Sequence, residues 1–203
     1  MSLQSSPACM ASAAQRLGMI GIVDSVCVVH QLVDDPGTVG VTAIDKRPVE
    51  GPVRVRTLGL HGDVQADRKN HGGEEKAVYA YSAADADWWA RQLGRDVQPG
   101  YFGENLRISG AQGADFDVDG AAAGERWRIG ERVVLEVTWP RIPCATFGRW
   151  VEQDRWVKRF LQAGRPGTYF RVVTPGEVRA GDAVEIIAVG EGPSMREVAA
   201  VNS

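Results

Sequence analysis

No apolar run in the chain approaches the roughly 20 residues that a bilayer-spanning helix needs. The longest candidate, Met19 to Val29, is broken by Gly21, Asp24 and Ser25, so neither a membrane span nor a membrane partner is expected. Cysteine is scarce. Cys9, Cys27 and Cys144 make an odd count without the spaced framework of a small secreted domain, which argues against a disulfide scaffold and for a reducing, cytoplasmic setting. Three cysteines are also too few for a four-cysteine iron–sulfur site. Nucleotide fingerprints are missing: neither Gly-x-Gly-x-x-Gly nor a Gly-Lys-Ser/Thr loop occurs. Nor is there a large excess of one charge. A net charge of −3 gives no global pull toward nucleic acid, which is not an expected partner, and any anion site has to be local.

What is present is an ordinary globular composition, 44% hydrophobic and 24% charged over 203 residues, enough for one substantial core. One domain over residues 19–190 is expected. Residues 1–18, Ser- and Ala-rich without a signal-peptide pattern, read as a flexible extension, and 191–203 as a tail. Strands are expected over Met19–His30, Val53–Leu58, Lys76–Tyr81, Asn105–Ile108, Trp127–Ile129, Val133–Thr138, Thr168–Val173 and Ala183–Val189. Asp34-Asp35-Pro36-Gly37 supplies a turn. Ser82 can cap a helix over Ala83–Leu93, anchored by Trp88 and Trp89 and ended by Gly94. Asp154 can cap a second helix, through Ala163, ended by Gly164. The Gly/Ala/Asp-rich stretch Gly110–Gly124 reads as a mobile linker. Many short strands with Gly/Pro turns favour a mainly β barrel with a few peripheral helices over a parallel βαβ sheet.

Three segments could carry chemistry. In Pro140-Arg141-Ile142-Pro143-Cys144 a cysteine leaves the end of a strong strand on a loop stiffened by two prolines. A free thiol is only a few per cent thiolate at neutral pH, so it needs a cation such as Arg141, or a metal, to become a good ligand or nucleophile. By itself a lone cysteine is more often a small buried apolar residue. The loop from Gly62 to Gly73 packs Asp63, Asp67, Arg68, Lys69 and His71 among glycines. There the backbone N–H groups of Gly72 and Gly73 could approach an anion, with Arg68 and Lys69 adding charge; a solvated surface loop is the alternative. Phe102-Gly103-Glu104-Asn105 offers an acid to donate a proton and an amide to bind a heterocycle, although Asn105 could equally fix its own loop. His61, His71 and Cys144 match no zinc spacing, and no nucleophile signature surrounds Cys144 for a Cys–His hydrolase.

Taken in order, Gly62-Asp-Val-Gln-Ala-Asp67, His71-Gly-Gly-Glu-Glu-Lys76-Ala-Val-Tyr79, Pro99-Gly-Tyr-Phe-Gly-Glu-Asn105-Leu106 and Pro140-Arg-Ile-Pro-Cys144 resemble the successive signatures of the MOSC (molybdenum cofactor sulfurase C-terminal) family, in its YiiM-like branch. The resemblance runs from about Met19 to Val189. It implies a barrel of mixed parallel and antiparallel strands and a molybdenum cofactor (molybdopterin) ligated by Cys144. It also implies a pocket lined by the loops around His71 and Asn105, with basic residues such as Arg68 or Lys76 holding the pterin phosphate. Lys69, Gly72, Gly73 and Arg141 complete the candidate cofactor-binding set, and Glu104 or His71 would donate protons.

Characterised members of that family reduce N-hydroxylated compounds or belong to enzymes that sulfurate the cofactor. The resemblance therefore implies a reductase of a small N-hydroxylated substrate, drawing electrons from a separate reductase, since no nucleotide or iron–sulfur site is visible here. A sulfur- or cofactor-carrier module without turnover is the alternative. Pyridoxal phosphate is not expected, because the desulfurase domain that binds it in sulfurases has no counterpart in these residues. The short stretch after Val189 suggests that the small helical extension of longer YiiM-like members is absent.

Overall fold

The computed structural model describes residues 13–66 and 72–201. Its strands are β1 (Ile20–Val29), β2 (Val33–Asp34), β3 (Val41–Thr42), β4 (Lys46–Pro48), β5 (Val53–Arg56), β6 (Gly59–Leu60), β7 (Val78–Ser82), β8 (Leu106–Gly110), β9 (Arg126–Ile129), β10 (Val133–Pro140), β11 (Thr168–Thr174), β12 (Gly176–Val178) and β13 (Ala183–Ala188). The α-helices are α1 (Ala13–Arg16), α2 (Ala83–Leu93), α3 (Ala145–Val151), α4 (Trp156–Ala163) and α5 (Met195–Val201). Alternation set the strands correctly where one face is wet: Val53-Arg54-Val55-Arg56 and Arg126-Trp127-Arg128-Ile129 each bury every second side chain.

Seven strands close a barrel in the order β1-β13-β9-β10-β11-β7-β8 and back to β1. All these pairings are antiparallel except β7–β8, which is parallel and is joined by the crossover containing α2. Closure depends on β1, whose ten residues pair in succession with β13, β8 and β4 across a bulge between Val23 and Ser25. The barrel is therefore mainly β with mixed strand directions and peripheral helices, as expected.

β7 is buried along its whole length because it separates two cores. Val78 and Ala80 face the barrel interior with Val26, Leu106, Trp127 and Phe170; Tyr79 and Tyr81 face an outer aromatic layer with Trp89, Phe102, Phe147, Trp156 and Phe160. That layer clamps α2, α3 and α4 to the barrel, with Trp89 and Trp156 centroids 4.6 Å apart and Trp89 stacked on Phe160 at 5.7 Å. α2 begins and ends as its sequence specifies, with Ser82 accepting from the Asp85 N–H and Gly94 left-handed at φ 63°.

Several expectations need correction. The stretch Gly110–Gly124 is not a mobile linker: Phe116, Val118 and Ala121 fill the barrel core, and the Thr168 hydroxyl donates to the Val118 carbonyl at 3.0 Å. Its small residues serve close packing; a Cβ on Gly110 would lie 1.6 Å from the Ala114 carbonyl oxygen. α4 starts at Trp156 behind a left-handed Arg155, and Asp154 does not cap it. α3 and α5 were not anticipated, although Ser194 and Glu197 form a reciprocal capping box at the start of α5, which buries Met195 against the barrel. Before β1, the buried Arg16 guanidinium grips the Glu125 carboxylate with two 2.9 Å bonds.

Asp119 is a fully buried carboxylate whose ionisation is coupled to folding. One carboxylate oxygen accepts from the Gly167 N–H at 2.7 Å, and the other accepts no hydrogen bond among the described residues. Burial, only partly relieved by Arg196, pushes its pKa up to about 7. The folded protein thus keeps a proton that the unfolded chain releases near pH ~4, so Asp119 subtracts stability as pH rises from about 4 to about 7. In thermal melts, Asp119→Asn should gain on the parent protein between pH 5 and pH 8; an unchanged difference across that range would contradict the assignment.

Candidate functional site

A cavity of about 370 Å³ opens against the outside of β7 and is walled by segments far apart in sequence. Cys144, half-buried, lies on its wall. β10 ends at the buried Pro140, Pro143 is again buried, and Cys144 stands in extended conformation (φ −122°, ψ 175°) immediately before α3. Two prolines and the start of a helix leave the thiol little choice of position.

Beside it lies Arg141, only 8% exposed. Its guanidinium stands over the Phe147 ring at 3.8 Å and near the Tyr79 ring at 5.3 Å, donates to the Phe102 carbonyl, and its backbone N–H reaches the Gly167 carbonyl at 3.3 Å. Burial opposes its charge, but Tyr79, Tyr169 and Cys144 outweigh that and raise its pKa above the ordinary arginine value. The sulfur of Cys144 thus has a fixed cation as its neighbour. Cys27 makes the contrast: fully buried, its pKa is pushed up to about 12 by desolvation first and by Glu104 second, so it remains an inert thiol.

The cavity floor is organised by Asp63. One of its oxygens accepts from the Val29 N–H at 3.0 Å, and the other accepts from Lys46 Nζ and from Asn105 Nδ2, both at 2.7 Å. Asn105 also donates to the Cys27 carbonyl at 3.2 Å and accepts from the Tyr79 N–H at 3.1 Å, so β1, β4, β7 and the loop after β6 meet at one amide and one carboxylate. Gln65 clasps the same loop: its carbonyl accepts from the Gly73 N–H at 2.8 Å while its amide reaches the Leu58 carbonyl at 3.1 Å. At the mouth, the β2–β3 hairpin is latched to α3 by Asp35, which accepts from Arg149 at 2.8 and 2.7 Å and from the Thr146 hydroxyl at 3.0 Å. Those bonds, Arg149 foremost, hold the Asp35 pKa down to about 2.

Among the residues singled out from sequence, Cys144, Arg141, Lys76 and Asn105 come together on this wall. Gly72 and Gly73 do not line it, and the Gly73 N–H is already taken by Gln65. Arg68, Lys69 and His71 lie outside the described residues. Glu104, expected as a proton donor, faces away: fully buried, it accepts from the Gly100 and Phe102 N–H groups at 2.8 and 3.0 Å and from Arg107 Nε at 2.9 Å. Its carboxylate is committed to holding that loop. Lys46, Asp35 and Arg149 went unrecognised, and Asp35 had been read only as a turn residue, which it also is, accepting from the Gly37 N–H.

A family model for the MOSC domain matches residues 67–185, more than half of the chain. The chain belongs to the MOSC domain family. Among its MOSC relatives is the uncharacterised protein YflK of Bacillus subtilis, 35% identical over 150 residues that cover 74% of this chain and 65% of YflK. Protein YiiM of Escherichia coli is 30% identical over 164 residues, covering 79% of this chain and 70% of YiiM. A protein named reductase from Gibberella moniliformis is 31% identical over 149 residues, 72% of this chain but 26% of that protein. The crystal structure of YiiM from Geobacillus stearothermophilus superposes with a TM-score of 0.71 at 26% identity, covering 90% of this chain and 83% of that one. These likenesses place the chain in the YiiM-like part of the MOSC family. MOSC domains are associated with molybdenum-cofactor-related proteins. Among the described residues no helix is long and apolar enough to cross a membrane.

The committed role of Glu104 has a measurable consequence. Glu104→Ala leaves the buried Arg107 guanidinium without its carboxylate, with only the Gln98 carbonyl at 3.2 Å to accept from it, strips two N–H groups of their acceptor, and should cost about 3–5 kcal/mol in urea unfolding. A group acting only as a proton donor would leave the unfolding midpoint unchanged.

Proposed function

We propose that this MOSC protein binds the molybdenum cofactor through Cys144 and reduces N-hydroxylated bases or related N-oxygenated small molecules, taking electrons from a separate reductase. The observation that carries the reading is the pairing of a half-buried, rigidly placed cysteine with the buried Arg141 cation on the wall of a deep cavity in a MOSC barrel. The reductase name of one relative points the same way.

The donor set fits the cofactor. A thiolate suits a soft metal, and Lys46, Lys76 and Arg141 give the wall the positive charge that a phosphate-bearing pterin needs. The volume, about 370 Å³, lies within the range of small-molecule sites. In this reading Cys144 Sγ is the protein ligand, Arg141 sets a fixed positive charge beside it, and Lys76, near the Tyr169 ring, holds the phosphate. When bound, the cofactor supplies the two-electron centre at which the N–O bond breaks. The overall change is R–NHOH plus two electrons and two protons giving R–NH₂ and water. The chain itself binds and orients the substrate and holds protons. Val39, Val41, Ile44 and Val64 give the cavity an apolar side for a planar base, and Lys46 Nζ, fixed by Asp63, holds a proton on the polar side.

Purification from a cofactor-producing host should yield stoichiometric molybdenum and reduction of hydroxylaminopurine or an amidoxime with a chemical reductant. Cys144→Ala should retain its circular dichroism but lose molybdenum and activity by about tenfold or more. Absence of molybdenum even from a host overproducing the cofactor would sink the proposal, and bound cofactor without reduction would favour a carrier.

A further inference from the structure

We infer that the groove between α3 and α4 is the docking face for an acidic electron-carrier protein. The inference rests on the reductase reading above, in which two electrons per turnover come from a separate protein, these 203 residues holding neither a nucleotide fingerprint nor four cysteines. The groove, about 760 Å³, has an apolar floor that includes Val157 and Leu161, and its charged lining residues are Arg149, Arg155 and Lys158. No carboxylate lines it, although the chain as a whole is acidic at −3. Arg149 is spoken for by Asp35, but no ion pair engages the exposed Arg155 or Lys158 among the described residues. Glu152 and Asp154 lie on the connector between the helices without lining the groove.

Position decides what such a face is for. Ala145 and Arg149 line both the groove and the Cys144 cavity, so the first turns of α3 are the partition between a seated partner and the sulfur. The connector that presents Arg155 is held in a costly form, with Glu152 and Arg155 both left-handed at φ 56° and 52°. An apolar floor with a cationic rim, in which Arg155 and Lys158 carry no ion pair among the described residues, is the anatomy of a transient interface that steers an oppositely charged partner, and an acidic redox protein seated there would deliver electrons one helix turn from Cys144. A nucleic acid would use the rim but not the apolar floor.

The test uses the full-length holoprotein, with the host's flavodoxin and its [2Fe–2S] ferredoxin as probes and reduced methyl viologen as a small donor that needs no docking face. At low ionic strength at least one carrier should bind in titration calorimetry, more weakly as salt is added. Arg155→Glu/Lys158→Glu should weaken that binding and the carrier-driven rate by about tenfold, with the methyl-viologen-driven rate unchanged. Lys158→Glu alone, which leaves the left-handed Arg155 in place before α4, should show a smaller shift of the same sign. Binding of neither carrier, equal binding by parent and variants, or a groove that instead holds a second copy or an oligonucleotide would each overturn the inference. If methyl viologen drives no reduction in the parent protein, the reductase reading fails, while the calorimetry still reports on the docking face.

Discussion

The arrangement around Cys144 depends on one buried cation. Arg141 joins the barrel to its helical layer: its backbone is bonded to the strap before β11, and its guanidinium is gripped by the Phe102 carbonyl and two aromatic faces from β7 and α3. A charge at 8% exposure is tolerated only because every direction offers an acceptor or a ring. Once it is fixed there, the cysteine three residues later inherits both a position and an electrostatic environment. Lysine could supply the charge but not the flat face that lies over Phe147.

Around that point, identical residue types take opposite roles by environment. Cys144 looks into the cavity beside a guanidinium, whereas Cys27, deep in β1, is kept protonated by desolvation. Asp63 is a hub for three donors at the cavity floor, and Glu104, one residue before Asn105, turns the other way to brace a loop. Neither assignment follows from chemistry alone. Glu104 takes its role from the side of β8's approach on which the backbone presents it, and Asp63 from the loop after β6 that carries it to Val29, Lys46 and Asn105.

Strands such as β5 and β9 were legible because a two-residue period records which face meets water. The helices read less evenly. α2 carries a cap, a stop and two tryptophans, while α3, with Gly148 amid bulky residues, has poor intrinsic propensity and forms because Phe147 and Val151 pack into the aromatic layer. The capping box of α5 was readable and was overlooked inside a presumed tail. In the site, Cys144 declared itself through its bracketing prolines. Lys46 did not, because its meaning lies in partners 17 residues away and further, brought together only when β1 bends to close the barrel.

Gln65 carries a consequence for how this family could diversify. By bonding to Gly73 and to the carbonyl of Leu58, one side chain ties both ends of the segment from 65 to 73 to the turn after β5. Closure entropy grows slowly with length, about 0.6 kcal/mol per doubling. A lineage could therefore change the length between Gln65 and Gly73 at little cost in closure entropy, so long as the glutamine that ties the two ends together is kept.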